Sequence, residues 1–463
     1  MPIFDPQQLA AWTHGQWTRL PAAAATGFAI DSRRIKTGEL FVTLRMDIRD
    51  GHDYVEAAAA AGATAALVSR VCEKVALPQL VVKDTLAVFQ MIAREHRRAF
   101  KGPVTGISGS AGKTSTKDLL ARLLGERALA TEGNLNNHIG VPLTLTRLDA
   151  EKHGFAIIEA GVSAPGEMAP LARMIDPDVA VITLVDHAHT RDLGGLGGVA
   201  QEKAQLPAQV RRDGVAILPR AVAEMPAFRD LPVRRLTVER TDVLRGSDEA
   251  EDRVYYTVTH RCDESAVSLT YPGDAGAPQL YIFRRVSDGM TQNAVLAISV
   301  ARWLGVPPAL IRERLTGWGA APLRDEVSQV QGRLLYVDCY NANPASMADA
   351  LRLFHQRTPG TDGRLFVIGG MEELGVESDQ KHRELGTSLQ LRSADLALVI
   401  GTGSEEVKAG AIEAGASEHQ VEMVESLKGV GERVAGWHGP VFVKGSRCYR
   451  LETIMGGAVA ATH

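Results

Sequence analysis

Cysteine is scarce in this chain of 463 residues, which has four thiols, at Cys72, Cys262, Cys339 and Cys448. No two of them form a C-x-x-C pair, so the sequence predicts neither a zinc site nor a disulfide framework. Reduced thiols are therefore the expectation, and they are typical of a cytoplasmic protein.

Long apolar runs and a leader segment are also missing. No stretch reaches the roughly 18 to 20 apolar residues of a membrane span, and the region from Met1 to Trp17 has no basic part followed by an apolar core. We therefore expect a cytoplasmic protein without a membrane segment. A hydrophobic fraction of 45% and a charged fraction of 23% are those of an ordinary soluble globular protein.

Basic residues are not in excess either. The chain has 51 Lys and Arg against 55 Asp and Glu, and its formal net charge is -4. This balance argues against a protein that coats nucleic acid, because such proteins depend on basic patches. Any anionic ligand must therefore be bound by a local group of residues.

The most informative stretch that is present is the glycine-rich run from Thr105 to Thr116, TGISGSAGKTST. An apolar lead-in and an amphipathic segment flank it, which is the strand, turn and helix order of a phosphate loop. Glycine lets backbone amides approach an anion, and the helix N-terminus then points at the phosphates. We expect Lys113 to reach the terminal phosphates and Thr114 to bind magnesium. A chance glycine-rich turn is the alternative, and the flanking elements disfavour it.

The rest of the chain predicts several further α/β units, and its length alone suggests about three domains. Short strands and one helix between residues 28 and 82 predict a small α/β unit, followed by a helix over 85–100. Residues 215–281 predict a β-rich insertion without visible chemistry. After a boundary near Pro322, strands and helices alternate again and predict a second doubly wound sheet.

Two further sites are suggested by the ends of predicted strands, where ligands collect in open α/β sheets. Glu159 ends an apolar strand and could hold magnesium opposite the phosphate loop, although an exposed edge carboxylate is the alternative. His187 and His189 follow the next strand, and metal ligands and surface histidines are equally compatible with this pattern.

The chain resembles the Mur ligase family, and within it the MurF type. Four stretches carry the resemblance, and the second and fourth are the most specific: Gly109–Thr116, Thr131–Pro142 (TEGNLNNHIGVP), residues 189–203, and Tyr340–Pro344 (YNANP). The phosphate loop agrees with it too, because Ile107 stands where the usual first glycine would be, leaving the G-x-x-G-K-T-S form of Mur ligases and folylpolyglutamate synthetases.

The resemblance implies an α/β protein of three domains. They would be a small N-terminal UDP-sugar-binding domain (1–84), a central ATPase domain with a mainly parallel sheet (85–322) and a C-terminal Rossmann-like domain (323–463). It also implies an ATP-dependent ligase of cytoplasmic peptidoglycan synthesis, and thus of cell-wall biogenesis, cell shape and cell division. The expected partners are UDP-N-acetylmuramoyl-tripeptide and D-alanyl-D-alanine, and the expected state is a monomer.

The resemblance further implies roles for individual residues. Catalysis would involve Lys113, Glu159, His189 and Lys203, with a first Mg²⁺ on Thr114 and Glu159 and a second on His189 and a carbamylated Lys203. ATP would contact Gly109, Ser110, Ala111, Gly112, Lys113, Thr114, Ser115, Asn293, Arg324, Asn341 and, at the ribose, Asp338. The peptide substrates would face Ser32, Arg33, Asn134, Asn136, Asn137, Lys444 and Arg447.

The chain departs from the family pattern near the nucleotide. Gly289 and Met290 stand where the family has histidine and asparagine, and Leu323 stands where it has glycine. These departures leave two alternatives open. One is a divergent or folylpolyglutamate synthetase-like ligase with another acceptor or amine, and the other is a nucleotide-binding regulatory protein that has lost catalysis.

Overall fold

The structure is a computed structural model, and it describes residues 2–187, 190–243, 252–274, 277–319, 323–330, 332–361 and 363–455. Its strands form three main sheets and one small hairpin, and most neighbouring strands run parallel. The predicted α/β class with mainly parallel sheets is confirmed.

The N-terminal sheet has five strands in the order β1-β7-β6-β3-β2 and is parallel except at β1. Strands β4 and β5 form a separate hairpin. The strands are β1 (Gln16–Trp17), β2 (Phe28–Ala29), β3 (Leu40–Val42), β4 (Arg45–Met46), β5 (Arg49–Asp50), β6 (Ala65–Val68) and β7 (Gln79–Val81), and the helices are α1 (Pro6–Thr13), α2 (Val55–Ala60) and α3 (Thr85–Ala99). Helix α3 begins at the Asp84 cap and leads to the central sheet.

The central sheet has nine strands in the order β16-β15-β14-β13-β12-β11-β8-β10-β9. Its strands are β8 (Val104–Ser108), β9 (Ala128–Ala130), β10 (Phe155–Glu159), β11 (Val179–Ile182), β12 (Val215–Pro219), β13 (Arg234–Arg240), β14 (Arg253–His260), β15 (Glu264–Thr270) and β16 (Gln279–Arg284). Its helices are α4 (Lys113–Leu124), α5 (Gly140–Leu145), α6 (Met168–Ile175), α7 (Thr190–Leu193), α8 (Gly195–Ala204), α9 (Arg220–Ala223), α10 (Pro226–Arg229), α11 (Asp288–Trp303) and α12 (Pro308–Leu315).

Both faces of the central sheet are buried, because successive side chains of a strand point to opposite faces. Ile157 of β10 packs in the core beneath α4 and α11, whereas its neighbours Ala156 and Ile158 pack in the core beneath α5 and α6. A parallel sheet covered on both faces presents its ligands at the carboxyl ends of its strands.

The strands between residues 215 and 281 are not a separate insertion, contrary to the sequence-based expectation. Strands β12 to β14 extend the parallel part of the central sheet, and β15 and β16 complete it in antiparallel pairing. Their charged residues obscured the pattern, because strands near the edge of a sheet bury fewer side chains.

The C-terminal sheet has six strands in the order β17-β18-β22-β19-β20-β21, parallel except at β17. Its strands are β17 (Glu326–Val330), β18 (Arg333–Asp338), β19 (Leu365–Gly369), β20 (Leu396–Ile400), β21 (Val421–Met423) and β22 (Val441–Lys444), with helices α13 (Pro344–Arg357), α14 (Ser378–Ser388), α15 (Ser404–Glu413) and α16 (Val430–Gly436). Among the described residues, no helix has the length and apolar character needed to cross a membrane.

Candidate active site

The glycine-rich stretch has the geometry that the sequence predicts. Strand β8 ends at Ser108, the loop spans Gly109 to Gly112, and α4 begins at Lys113. Gly112 has φ +78°, and a Cβ atom there would lie 2.5 Å from the amide of Asn293 on α11. Glycine is therefore required twice over at this position, by backbone conformation and by the close approach of α11.

The side chain of Lys113 contacts the glycine-rich loop. Its Nζ donates to the carbonyl of Gly109 at 2.8 Å, and burial lowers the pKa of its amine. Glu159 opposes this effect, and Arg324 adds to it. A partly buried ammonium whose one hydrogen-bond acceptor among the described residues is a carbonyl is stabilised by a bound anion, so a phosphate group fits beside it.

Glu159 faces the loop from the neighbouring strand, because the parallel register places it beside Ile107. Its Oε1 accepts hydrogen bonds from Thr114 Oγ1 at 3.3 Å and Asn136 Nδ2 at 2.8 Å. Its Oε2 is buried and has no hydrogen-bond partner among the described residues. A buried carboxylate oxygen without a partner is costly unless a cation binds it. A hydroxyl and a carboxylate are also oxygen ligands that suit Mg²⁺, so these residues fit that ion.

Lys203 is placed on the buried side of α8. Its side chain has no hydrogen bond or ion pair to the described part of the chain, and burial with the charge of Lys113 lowers its pKa to about 7. The adjacent Glu202 points elsewhere, accepting from the backbone of Gly166 and Met168 at the start of α6. Lys203 therefore has a substantial neutral fraction near neutral pH.

His189, the predicted ligand of a second metal ion, lies outside the described residues. Within the described ranges, no group of three or more His, Cys, Asp and Glu side chains is arranged to hold a metal ion. His187 is described, and its Nδ1 lies 2.6 Å from Glu377 Oε2 of the C-terminal region. This histidine is therefore a contact between the two regions.

The central and C-terminal sheets meet across the loop. Asn343 Nδ2 donates to the carbonyl of Ser110 at 3.2 Å, and Ala345 N donates to Asp186 at 3.0 Å. Asn343 also caps α13 by accepting from Ser346 N at 2.9 Å. The YNANP motif (Tyr340–Pro344) thus holds the start of α13 against the phosphate loop.

Four predicted residues of the C-terminal region converge on the same space. Arg324 stacks on Tyr340, with its guanidinium 3.9 Å from the ring centroid. Lys444 forms an ion pair with Asp338 and donates to the carbonyl of Asn341 at 3.3 Å. The family resemblance implies that Asp338 contacts the ribose of ATP and that Lys444 contacts a peptide substrate. In the structure the two side chains form an ion pair with each other.

A cavity of about 900 Å³ connects these groups. Of the predicted site residues, it is lined by Ser110, Ala111, Gly112, Lys113, Thr114, Ser115, Asn134, Asn136, Asn137, Glu159, Asn293, Arg324, Asp338, Asn341 and Lys444. Gly109 and Lys203 are not among the residues that line the cavity. Ser32 and Arg33 lie in a short helix of the N-terminal region, where Arg33 pairs with Asp31, and Arg447 pairs with Glu452 on the surface. The structure does not bring those last three residues to the cavity.

The end of the cavity away from the loop contains residues that the sequence did not single out as site residues. This far end is lined by Arg240, Tyr256, Ser287, Asp288, Gly289, Met290, Asp325, Tyr336, Asp349 and Arg352. They come from six separate stretches of chain, and no motif joins them. The sole signal was the departure at Gly289 and Met290 from the family pattern.

Comparison with known proteins agrees with this geometry. Residues 107–299 match the Mur ligase middle domain, and residues 324–447 match the Mur ligase glutamate ligase domain. The UDP-N-acetylmuramoyl-tripeptide--D-alanyl-D-alanine ligase of Bacillus subtilis is 30% identical over 445 residues, which are 93% of this chain and 92% of that protein. The chain belongs to the Mur ligase family. The ligase of the same name from Escherichia coli is 30% identical over 429 residues, with 92% of each chain covered.

Solved structures of Mur ligases have the same architecture. MurF from Acinetobacter baumannii superposes with a TM-score of 0.85 at 26% identity, and the match covers 99% of each chain. MurF from Thermotoga maritima in complex with ADP has a TM-score of 0.77 at 23% identity, covering 94% of this chain and 97% of that one, and shows the shared fold. The predicted three-domain, MurF-like architecture is thus confirmed.

Proposed function

We propose that this Mur ligase joins D-alanyl-D-alanine to UDP-N-acetylmuramoyl-tripeptide with ATP. The observation that carries the proposal is the shared length of the match, which covers 93% of this chain and 92% of the Bacillus subtilis ligase. The match therefore includes the N-terminal region as well as the ATPase regions, and it is this first region that sets the peptide ligases apart from proteins sharing only a phosphate loop.

The cavity supports a reaction in two steps. A carboxylate oxygen of the tripeptide attacks the γ-phosphorus of ATP, forming an acyl phosphate and releasing ADP. The amine of the dipeptide then attacks the acyl carbon, giving an amide and inorganic phosphate and losing a proton. Lys113 neutralises charge on the phosphates, and closure of the C-terminal region over the loop keeps water from the acyl phosphate.

Thr114 and Glu159 would hold a first Mg²⁺, and the unpartnered Oε2 of Glu159 supports this assignment. When bound, the ion reduces the repulsion between the substrate carboxylate and the phosphates. Glu159→Gln should raise the Mg²⁺ concentration for half-maximal activity about tenfold or more. Glu95→Gln is a matched control, because that carboxylate does not line the cavity and pairs with Arg98 at 2.8 Å. An unchanged Mg²⁺ dependence of Glu159→Gln would remove Glu159 from the site.

A second Mg²⁺ would lie on His189 and a carbamylated Lys203. Carbamylation needs a neutral amine, and the buried Lys203, whose pKa is lowered to about 7, supplies one. Protein incubated with ¹³C-bicarbonate should give a carbamate carbon signal that Lys203→Met lacks. Identical spectra would exclude the modification.

The remaining assignments follow the same proposal. Asp338, Asn341, Arg324 and Asn293 would contact the nucleotide, and Ser32, Arg33 and residues 134–137 would contact the UDP-sugar peptide. Lys444 and Arg447 would face the incoming dipeptide. Domain boundaries near residues 84 and 322 are supported by the gaps between β7 and α3 and between α12 and β17. A cytoplasmic monomer is part of the proposal.

The decisive experiment measures phosphate release by the purified protein. Release should need ATP, Mg²⁺, UDP-N-acetylmuramoyl-tripeptide and D-alanyl-D-alanine together, and mass spectrometry should find the tripeptide extended by the dipeptide minus one water. Release that ignores the dipeptide would overturn the assignment. A panel of other acceptors and amines tests for a divergent ligase, and absent turnover with intact ATP binding would favour a regulatory protein.

A further inference from the structure

The far end of the cavity contains one carboxyl group with an unused oxygen. Asp325 is 4% exposed and lines the cavity, and its Oδ1 accepts a hydrogen bond from Tyr336 Oη at 3.0 Å. Its Oδ2 is buried and has no hydrogen-bond partner among the described residues. A buried polar atom of this kind costs free energy unless a ligand satisfies it.

The other carboxyl groups of the far end are already engaged. Asp288 pairs with Arg240 at 2.8 Å and lies 3.2 Å from His260, and Asp349 Oδ2 accepts from Gly289 N at 3.0 Å. Met290 adds only an apolar surface where the family pattern has an asparagine amide. Among the described residues that line the far end, Asp325 thus provides the free carboxyl oxygen.

The position of Asp325 suits the base of a bound nucleotide. Helix α11 touches the phosphate loop at Asn293 and reaches the far end one turn earlier, at Gly289, about 6 Å along its axis. Tyr336, which holds Asp325, lies two residues before Asp338 on β18, so both face the cavity about 7 Å apart. This spacing matches the reach from a ribose at Asp338 to the far edge of its purine.

The backbone holds Asp325 in this position at some cost. Leu323 and Asp325 have φ values of +60° and +48°, a region that is unfavourable for residues with a side chain. Such strain persists where the surrounding structure imposes it. Here the segment places Arg324 over Tyr340 and turns Asp325 into the cavity.

We propose that Asp325 selects the nucleobase, its Oδ2 accepting a hydrogen bond from the exocyclic amino group of adenine. The inference rests on the proposed use of ATP and names the residue that discriminates its base. Burial raises the pKa of Asp325 to about 7, so a protonated form is available near neutral pH. In that form Oδ1, which still accepts from Tyr336, has a hydrogen to donate to the adjacent ring nitrogen, while Oδ2 is the carbonyl oxygen that accepts from the amine. Adenine offers that donor and acceptor pair on one edge.

Calorimetric titration of the purified full-length protein tests this inference without turnover. The probes are ADP and purine riboside 5′-diphosphate, which has hydrogen in place of the 6-amino group. Wild type should bind ADP about tenfold more tightly, because one hydrogen bond to a buried carboxyl group is lost with the analogue. In Asp325→Ala the two affinities should become equal, chiefly through weaker ADP binding.

Two further variants make the result specific. Tyr336→Phe keeps Oδ2 as an acceptor, so its preference for ADP should remain, and Asp325→Asn should keep part of it through the amide oxygen. Thermal unfolding checks that each variant is folded. A preference that survives in Asp325→Ala but vanishes in Asp349→Ala would assign the role to Asp349 and overturn the inference. Equal affinities in wild type would also overturn it, whereas failure of ADP itself to bind would overturn the proposed function.

Discussion

The two ends of the cavity are built in opposite ways. The loop end comes from one short stretch, Ser110 to Ser115, and from strand-end residues such as Glu159 that the parallel register places beside it. The far end is assembled from β13, β14, α11, the segment before β17, β18 and α13, and its charges mostly neutralise one another. The proposed phosphate recognition thus depends on local backbone geometry, and the far end depends on tertiary packing.

The largest effect is expected at the loop end. Lys113→Ala removes the cation closest to the terminal phosphates and should lower the rate of phosphate release about 10³-fold. Because Lys113 is a partly buried cation, the unfolding temperature should stay the same or rise. Lys101→Ala, at an exposed position just before β8, should leave the rate unchanged. A small loss of rate in Lys113→Ala would contradict the prediction that the loop end contributes most to catalysis.

The far end should contribute to the pH dependence of stability through Asp325. The pKa of Asp325 is raised from 3.8 to about 7 by burial, so its protonated form favours the folded state below pH 4, and this contribution is lost as the pH rises to 7. Asp325→Asn does not titrate. Its free energy of unfolding, relative to wild type, should therefore increase by up to about 4 kcal/mol between pH 4 and pH 8. Urea denaturation at both pH values measures this difference, and a constant difference would contradict the buried position of Asp325.

A smaller effect should follow from filling the space at Gly289. A Cβ atom there would lie 2.5 Å from Asp349 Oδ2, so Gly289→Ala must displace that carboxylate from the Gly289 amide. ADP affinity should fall about fivefold or more, because overpacking of this kind typically costs 1–3 kcal/mol and the displaced Asp349 carboxylate lies in the wall of the cavity. Gly436→Ala, with open space around its Cβ, is the matched control. Equal affinity in both variants would show that the far end tolerates rearrangement.

The same contrast explains what the sequence could predict. Gly112 and Lys113 are neighbours in the chain, so the spacing of the motif already fixes their relation in space, and Glu159 could be placed because a parallel strand end has a known position. Asp325 and Asp349 carry no such signal, since the contact of Asp349 with Gly289, and the position of Asp325 near Asp349, depend on how the C-terminal sheet packs on α11.

For the fold, too, the sequence predicted the elements that depend on local pattern and missed those that depend on tertiary packing. An apolar strand ending at Glu159 was predicted, and β10 (Phe155–Glu159) ends there, because an apolar run between polar segments identifies a buried strand. The prediction of an insertion over residues 215–281 was wrong, because Arg and Glu side chains interrupt the alternation of β13 to β15. Membership of such a strand in a large sheet is decided by long-range pairing, which the local pattern does not record.

Asn343 performs two tasks with one side chain. Its oxygen starts α13, and its nitrogen binds the Ser110 carbonyl in the phosphate loop. Separating the C-terminal region from the central sheet must therefore remove a restraint from the loop backbone, so we expect the opening of these two regions and the loosening of the loop to occur together.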